Sequence, residues 1–496
     1  MSWGTFTYVQ HPEVERRITG LCEEVRANVC ELVPEQHRRA LLLIGGYGRG
    51  EGGVEQTRGG PRPHNNLDFL LLTQQLPAAD IARLAAQIDV ALEPLRTRYE
   101  IGIDFSALPA GKLQRSPCLV MWYDMRYGHK TLAGDAEFLP SLAQFQEDRI
   151  PAWNVRDLLV NRGTLMVLNE WLQRLDPEVP IDGQGSRRAF RHAVRHLTKA
   201  IIGYGDALLY FANAYHWSYV EKLARMQTCR LADPEFAELY TEAMLFRFAP
   251  DYGSLMGRDM LKWQRRILPM LSHVHLCCES LRLRRTLPDW SAYPKAAAIG
   301  VLREQWESPR AWAKKLAHTL RDASVSMPHI GLAHWGLRAA GPRGRLSLAF
   351  PVVAYQLSHL QGWARELLGN TRSEDSTEGD GELDLLDAYV RRWGEIGDTN
   401  FRNFANRLES RQDSLRRTGP IPGKGVDPHA PPARSNEGNF RHALSDFPNA
   451  SSHNVPLEGR FIDRDDRKSH SAETPLSISE FGADSSAGDF ATEVPS

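Results

Sequence analysis

The segment "NNLDFLLL", residues 65–72, places an acid directly before an apolar run. A buried strand rarely begins with a charge, so Asp68 calls for a chemical explanation. Asn66 lies two residues earlier, and alternate side chains of a strand point to the same face. Mg2+ prefers hard oxygen ligands, and Asp104, on another predicted strand, could complete a cluster of them. The segment could therefore hold a metal ion, although an amide stands where a second carboxylate would be the natural partner.

A glycine-rich loop, "GGYGRGEGG", follows the apolar run "RRALLLI". It contains GxGxxG at Gly48, Gly50 and Gly53, which is the dinucleotide-binding fingerprint when a helix opens at the loop. Residues 54–66, "VEQTRGGPRPHNN", have no periodicity and predict a loop, and Asp68 begins a strand instead of ending one. No GK[ST] follows, so the Walker A pattern fails as well. The context therefore disfavours both nucleotide fingerprints.

The elements that must position these residues form a small α/β unit. Apolar residues at helical spacing predict helices, and short apolar or alternating runs predict strands. The first 145 residues follow the order helix, strand, strand, helix, strand, over residues 12–32, 38–44, 67–73, 78–98 and 100–109.

From about residue 150 the pattern becomes helical, and short loops would stack these helices antiparallel. Helices are predicted over residues 154–175, 187–226, 235–248, 257–286, 294–322, 350–369 and 382–409. An acidic, Gly/Ser-rich break spans 371–382, and few apolar residues follow position 411. We therefore expect an α+β protein with a mixed-sheet domain over 1–148, a helical domain over 149–410 and a disordered tail over 411–496.

The order of these features resembles the nucleotidyltransferase superfamily of DNA polymerase beta and kanamycin nucleotidyltransferase. In that family an apolar strand runs into Gly-Gly or Gly-Ser, a loop leads to Asp-x-Asp on the next strand, and a third Asp follows on a later strand. Here Gly45, Gly46, Asp68 and Asp104 match, while Asn66 replaces the first Asp and the loop is longer than usual. The likeness covers roughly residues 38 to 135.

Two further segments carry the resemblance. "GGYGRGE" is similar to the family's Gly-Ser-x-Ala-Arg-Gly-Glu, which brings in Arg49 and Glu51, and "YDMRYGHKTLAGD" at 123–135 is similar to the segment after the third strand. Lys199 and the Ser218–Tyr219 pair resemble phosphate- and base-contacting positions of some relatives. An ordinary helix surface and core is the favoured interpretation of the same three residues.

The resemblance implies transfer of a nucleoside monophosphate from an NTP to a hydroxyl of a small-molecule or protein acceptor. Two Mg2+ (or Mn2+) ions about 3.5–4 Å apart would neutralise the phosphates and assist deprotonation of the hydroxyl. Gly45 and Gly46 lack side chains, so their backbone could approach the phosphates. The implied catalytic and metal positions are Asn66, Asp68 and Asp104, and the implied nucleotide-binding positions are Gly45, Gly46, Arg49 and Lys199.

Asn66 lowers the negative charge of the implied metal site. We expect weaker occupancy of one metal, so that activity is low or one ion arrives with the nucleotide. The alternative is a catalytically impaired relative that binds nucleotide and acts as a regulatory or scaffold module.

Composition narrows the classes of function that the protein could have. Lys+Arg 60 against Asp+Glu 61 leaves a net charge of -1, which gives no sign of nucleic-acid or membrane binding. Basic and aromatic residues do not interleave, so no dedicated nucleic-acid platform is expected. Six cysteines without CxxC predict reduced thiols and no structural zinc. The start of the chain does not resemble a signal peptide, and no stretch approaches the ~20 apolar residues of a membrane span, so we expect a cytoplasmic protein.

Overall fold

The protein combines a small mixed β-sheet with a larger set of helices, and the predicted α+β class is confirmed. The structure, a computed structural model, describes residues 3–175, 187–306, 340–368 and 385–395. The six cysteines are all free, as predicted.

The central sheet has four strands in the order β5-β4-β1-β6. β1 pairs antiparallel with β4 and β6, whereas β4 and β5 are parallel. A separate antiparallel hairpin is formed by β2 and β3. The strands are β1 (Arg38–Ile44), β2 (Val54–Thr57), β3 (Gly60–Pro63), β4 (Leu67–Thr73), β5 (Ile103–Pro109) and β6 (Lys130–Gly134).

Both faces of the sheet are covered, which explains why β4 is a continuous apolar run. Leu67, Phe69 and Leu71 pack into one hydrophobic core with α1 (Pro12–Leu32) and α3 (Ala78–Tyr99). Leu70 and Leu72, on the opposite face, belong to a second core that continues into the helical region. The sheet and the helical region therefore share a core on one side.

The remaining helices supply the site with side chains from far along the chain. Around the sheet these are α2 (Gly45–Arg49), α4 (Ala110–Gln114) and α5 (Val120–Tyr127). The helical region comprises α6 (Ala152–Leu175), α7 (Arg187–Phe211), α8 (Tyr219–Met226), α9 (Pro234–Phe248), α10 (Met260–Arg282), α11 (Tyr293–Trp306), α12 (Gly341–Ala354), α13 (Gln361–Leu368) and α14 (Leu385–Glu395).

The five predicted elements around the Asp68 segment are confirmed, but residues 54–66 are not a simple loop. They contain the β2–β3 hairpin, in which Val54 pairs with Pro63. Glu55, on this hairpin, accepts hydrogen bonds from Nη1 and Nη2 of Arg191, each at 2.7 Å. An ion pair to α7 thus holds a hairpin that hydrophobic periodicity could not reveal.

Two predicted helices are each divided. The stretch 187–226 breaks after α7, where Asn213 has φ 54 and Ala214 N–H donates to Leu209 O, a left-handed helix end. The stretch 350–369 breaks between α12 and α13, where Gln356 has φ 54. Both breaks depend on backbone conformations that apolar spacing does not encode.

Several predictions lie outside the described residues, including the disordered tail over 411–496 and the acidic break over 371–382. The boundaries of the two predicted domains stay predictions. Within the described parts of the chain, no helix combines the length and apolar character needed to cross a bilayer.

Candidate functional site

The two acids of the predicted site face each other across neighbouring strands. Asp68 on β4 and Asp104 on β5 are register partners in a parallel pair. Partners in register lie on one face, and adjacent strands are roughly 4.8 Å apart. Both acids share the face that packs toward the helical region, because Leu67 and Phe69 beside Asp68 point to the other side. The structure therefore brings the two carboxylates together.

Asn66 joins this pair through a hydrogen bond. Its side-chain nitrogen donates to Asp104 Oδ2 at 3.1 Å. Its oxygen lies against the backbone of Gly102, where an added Cβ would be only 2.0 Å away. In this arrangement Asn66 offers the pair a donor, not a metal-binding oxygen, so its role as a metal ligand stays a prediction.

The glycine loop predicted after β1 is in fact the short helix α2, because Gly45–Arg49 adopt helical backbone conformation. Its first two residues, Gly45 and Gly46, form the glycine turn, which lies directly beside Asp68. Gly45 has φ +69, which favours glycine, and a Cβ built there would stand 2.4 Å from Asp68 Oδ2. Ile44, the last residue of β1, pairs with Asp68 across the sheet. The absence of a side chain at Gly45 thus gives the Asp68 carboxylate its position at the end of β1.

The space between the carboxylate pair on the sheet and the neighbouring helices forms a crevice. Four cationic side chains from three helices, Lys199, Arg162, Arg195 and Arg247, gather on the helical side of this crevice. Burial is the largest cause that lowers the pKa of Lys199, to about 7, and Arg162, Arg195 and Arg247 lower it further. Asp68 acts in the opposite direction and stabilises the charged lysine. Arg195 lies one helical turn before Lys199 on α7, and Gly203, which Arg162 contacts, lies one turn after it. Lys199 therefore belongs to a basic cluster, and the influence of Asp68 on its pKa indicates that this cluster lies near the carboxylate pair.

The basic cluster is built by close packing of helices. Arg162 of α6 crosses Gly203 of α7, where a Cβ would come within 2.4 Å of its side chain. Arg195 donates from Nε to Tyr252 Oη at 3.0 Å and from Nη2 to His64 O at 3.1 Å. Arg195 is therefore held between the segment before β4 and the chain after α9, and Arg162 is held against α7.

Asp104 is an exposed residue, and its carboxyl nevertheless has a raised pKa. Desolvation raises the pKa of its carboxyl, and this outweighs the hydrogen bond from Asn66 and the attraction of Arg96 and Lys199. A carboxyl with a raised pKa gains more from a nearby cation than one already stabilised. Asp104 is thus suited to bind a cation.

Arg49 and Glu51 do not extend into a loop as the resemblance suggested. Arg49 forms an ion pair with Asp124 at 2.7 Å, with little of either side chain exposed. Glu51 accepts hydrogen bonds from Ser218 Oγ and, at 2.8 Å, from Tyr219 N at the start of α8. Arg49 thus joins the glycine turn to α5, and Glu51 joins it to α8 of the helical region. Nucleotide binding by Arg49 stays a prediction.

A buried polar network extends this junction. Lys222 is fully buried and contacts Asp206 at 2.7 Å and Tyr215 Oη at 3.1 Å. Tyr215 in turn donates to Asp124 Oδ1 at 3.0 Å. Charged groups of the sheet domain and the helices are therefore paired with one another, not exposed to water.

Sequence reasoning found the two acids, Asn66, the glycines and Lys199, but it missed Arg162, Arg195 and Arg247. One signal was present in the sequence: Arg162 lies in the apolar stripe of its helix, between Leu159 and Leu165. A charge in such a stripe must face a polar partner or a cavity.

The residues fit a single divalent cation better than two. Across residues 3–175, 187–306, 340–368 and 385–395, no group of three or more His, Cys, Asp or Glu is arranged to hold a metal ion. Asp68 and Asp104 supply two carboxylates, and phosphate oxygens of a ligand could complete the shell of a Mg2+ ion.

The fold and this crevice describe an α+β protein with a carboxylate pair opposite a basic cluster. Comparison with protein-family models, with curated proteins and with solved structures finds no match.

Proposed function

We propose that the crevice binds a nucleoside triphosphate and transfers its nucleoside monophosphate to a hydroxyl of a small-molecule or protein acceptor. The observation that carries this proposal is the in-register pair of Asp68 and Asp104 beside the bare turn at Gly45. A polyphosphate needs both negative ligands for its metal ion and positive groups for its own oxygens. In the crevice the sheet supplies the negative ligands and the helices supply the positive groups.

Each group has a distinct part in this reaction. Asp68 and Asp104 would hold Mg2+ or Mn2+, which supplies charge neutralisation on the phosphates when bound. A carboxylate oxygen of this pair that does not hold the ion could accept the proton of the acceptor hydroxyl. Lys199 and Arg162 would neutralise the departing pyrophosphate, because positive groups placed where negative charge develops favour transfer.

A direct test uses NTPs labelled at the α-phosphate, with Mg2+ or Mn2+, with and without cell extract. We expect a labelled product that disappears in Asp68→Asn and Asp104→Asn. These variants keep the side-chain size and remove the charge, so folding should be largely retained. A product formed equally well by both variants would refute the proposed site.

A second function is favoured by the hydrogen bond from Asn66 to Asp104. That bond gives one oxygen of the Asp104 carboxylate a partner other than a metal ion. Such an arrangement suits a protein that binds a nucleotide without transferring it. Nucleotide binding without any labelled product would support this regulatory or scaffold role.

Asn66→Asp tests whether position 66 faces the proposed metal ion. The added charge should tighten Mn2+ binding at least about tenfold, which corresponds to ~1.4 kcal/mol. It should also destabilise the metal-free protein, because three carboxylates would then lie close together. Calorimetric titration with Mn2+ measures the first effect, and Asn65→Asp, which adds the same charge one residue earlier, is the control. Unchanged Mn2+ affinity would show that position 66 does not face the metal.

A further inference from the structure

Arg247, at the end of α9, has a guanidinium that no carboxylate neutralises in the described chain. It forms no ion pair and donates no hydrogen bond among those residues, and its Nε is buried without a partner. A half-buried cation in this situation costs free energy unless a ligand completes its contacts. Neighbouring Arg49, by contrast, is paired with Asp124.

The guanidinium of Arg247 points at the glycine turn. A Cβ built on Gly46 would lie 3.0 Å from Arg247 Nη2. Gly46 follows Gly45, whose missing side chain leaves room for Asp68. Arg247 Nη2 therefore reaches the part of the crevice where the phosphates of a bound nucleotide would lie.

The ring of Tyr219 holds Arg247 in this direction. Arg247 Cζ lies 4.0 Å from the ring centroid, and Arg49 Cζ lies 4.5 Å from the same centroid. The electron-rich ring attracts both cations and keeps the two positive groups apart. Glu51 fixes the backbone of Tyr219, because it accepts a hydrogen bond from the Tyr219 N–H at 2.8 Å.

We propose that Arg247 is a phosphate-binding residue and that Tyr219 is the positioning residue that aims it at the glycine turn. This inference rests on the proposed function for its ligand class, a polyphosphate ester. A planar guanidinium offers parallel donors to phosphate oxygens, and its terminal Nη2 lies at the glycine turn while the face of the group stacks on Tyr219.

The test measures binding of inorganic pyrophosphate with Mg2+ by calorimetry to the full chain. Arg247→Gln should weaken binding about 10- to 150-fold, which corresponds to the ~1.5–3 kcal/mol of a charge-assisted hydrogen bond. Arg247→Lys should recover part of the loss, because the charge returns without the two-pronged donor. A merely structural role would not produce this order.

Two substitutions separate the ring of Tyr219 from its hydroxyl. Tyr219→Phe keeps the stack and should bind pyrophosphate within about threefold of wild type, whereas Tyr219→Leu should lose about 3- to 30-fold. Tyr219→Met replaces the Leu variant if that variant does not fold. Tyr127→Leu is the matched control, since Arg126 stacks on Tyr127 at 5.0 Å outside the crevice.

The outcomes are distinct from those of the proposed transfer reaction. Wild-type affinity in Arg247→Gln or in Tyr219→Leu would overturn this inference, as would failure of the wild-type protein to bind pyrophosphate. Arg247-dependent binding without a labelled transfer product would leave this inference standing and remove the transferase. A labelled transfer product whose formation does not depend on Arg247 would support the transferase and overturn the role of Arg247.

Discussion

Replacing Lys199 by methionine should stabilise the free protein while weakening its affinity for phosphates. Desolvation is the main cause of the depressed pKa of Lys199, about 7, and three arginines contribute. A lysine held among cations is unfavourable for folding, and that cost is tolerable only if the charge serves a ligand. Methionine keeps the length of the side chain and removes the charge.

The pKa sets an upper limit on the gain. The fall from 10.5 to about 7 corresponds to a cost of about 5 kcal/mol for the ammonium in the folded protein, at about 1.36 kcal/mol per pH unit. We expect a measured gain of about 1–3 kcal/mol, because the partly exposed lysine is relieved by water and loses its attraction to Asp68.

The pH dependence has a definite sign. The folded protein binds the Lys199 proton more weakly than the unfolded chain does, so the cost is fully present below about pH 7 and disappears as the pH rises toward 10.5. The stability difference between variant and wild type should therefore be largest near about pH 6 and should shrink toward about pH 9.

Urea unfolding at several pH values, with and without pyrophosphate and Mg2+, measures both effects. Lys262→Met, an exposed substitution on α10, is the matched control and should change stability little. A Lys199→Met variant that is less stable than wild type at low pH would refute the reasoning. So would a stability difference that does not change with pH.

Two further substitutions test the turn and the junction. Gly45→Ala should lower the free energy of unfolding by about 1–2 kcal/mol, because alanine is strained in a left-handed conformation. It should also abolish phosphate binding, because the new Cβ displaces Asp68 Oδ2. Gly60 has φ +100 and open space around it, so Gly60→Ala should cost stability alone, and an equal loss of binding in both variants would contradict the clash. Lys222→Met should lower the free energy of unfolding by about 3–5 kcal/mol, because buried Asp206 loses its partner. Arg98→Met removes the exposed pair with Glu24 and should cost less than about 1 kcal/mol, and similar losses in both would contradict this view.

Local patterns in the sequence predicted the framework of the sheet domain well. The helix over 12–32 and the strands over 38–44 and 67–73 have the predicted bounds, because each buries one continuous set of apolar side chains. β6 was missed because five residues, "KTLAG", carry too little periodicity. Its pairing with β1 is a tertiary contact.

The candidate site was predictable only where its residues lie on adjacent strands. Asp68 and Asp104 could be linked because each marks the same end of a strand. Arg162, Arg195 and Arg247 come from three helices, and only the packing of those helices brings them to the crevice. No spacing within the sequence expresses that packing.

The charges of the crevice give Asn66 a role beyond that of a missing ligand. Two carboxylates face four cations, so a bound polyphosphate would be neutralised partly by the protein itself. A third carboxylate at position 66 would attract metal but would repel the phosphates. Asn66→Asp should therefore weaken pyrophosphate binding in the presence of a chelator and strengthen Mn2+ binding, two effects of opposite sign. If the affinities for pyrophosphate and Mn2+ instead rise or fall together, the added charge acts through folding. The division of charge between sheet and helices would then not determine which ligands the site binds.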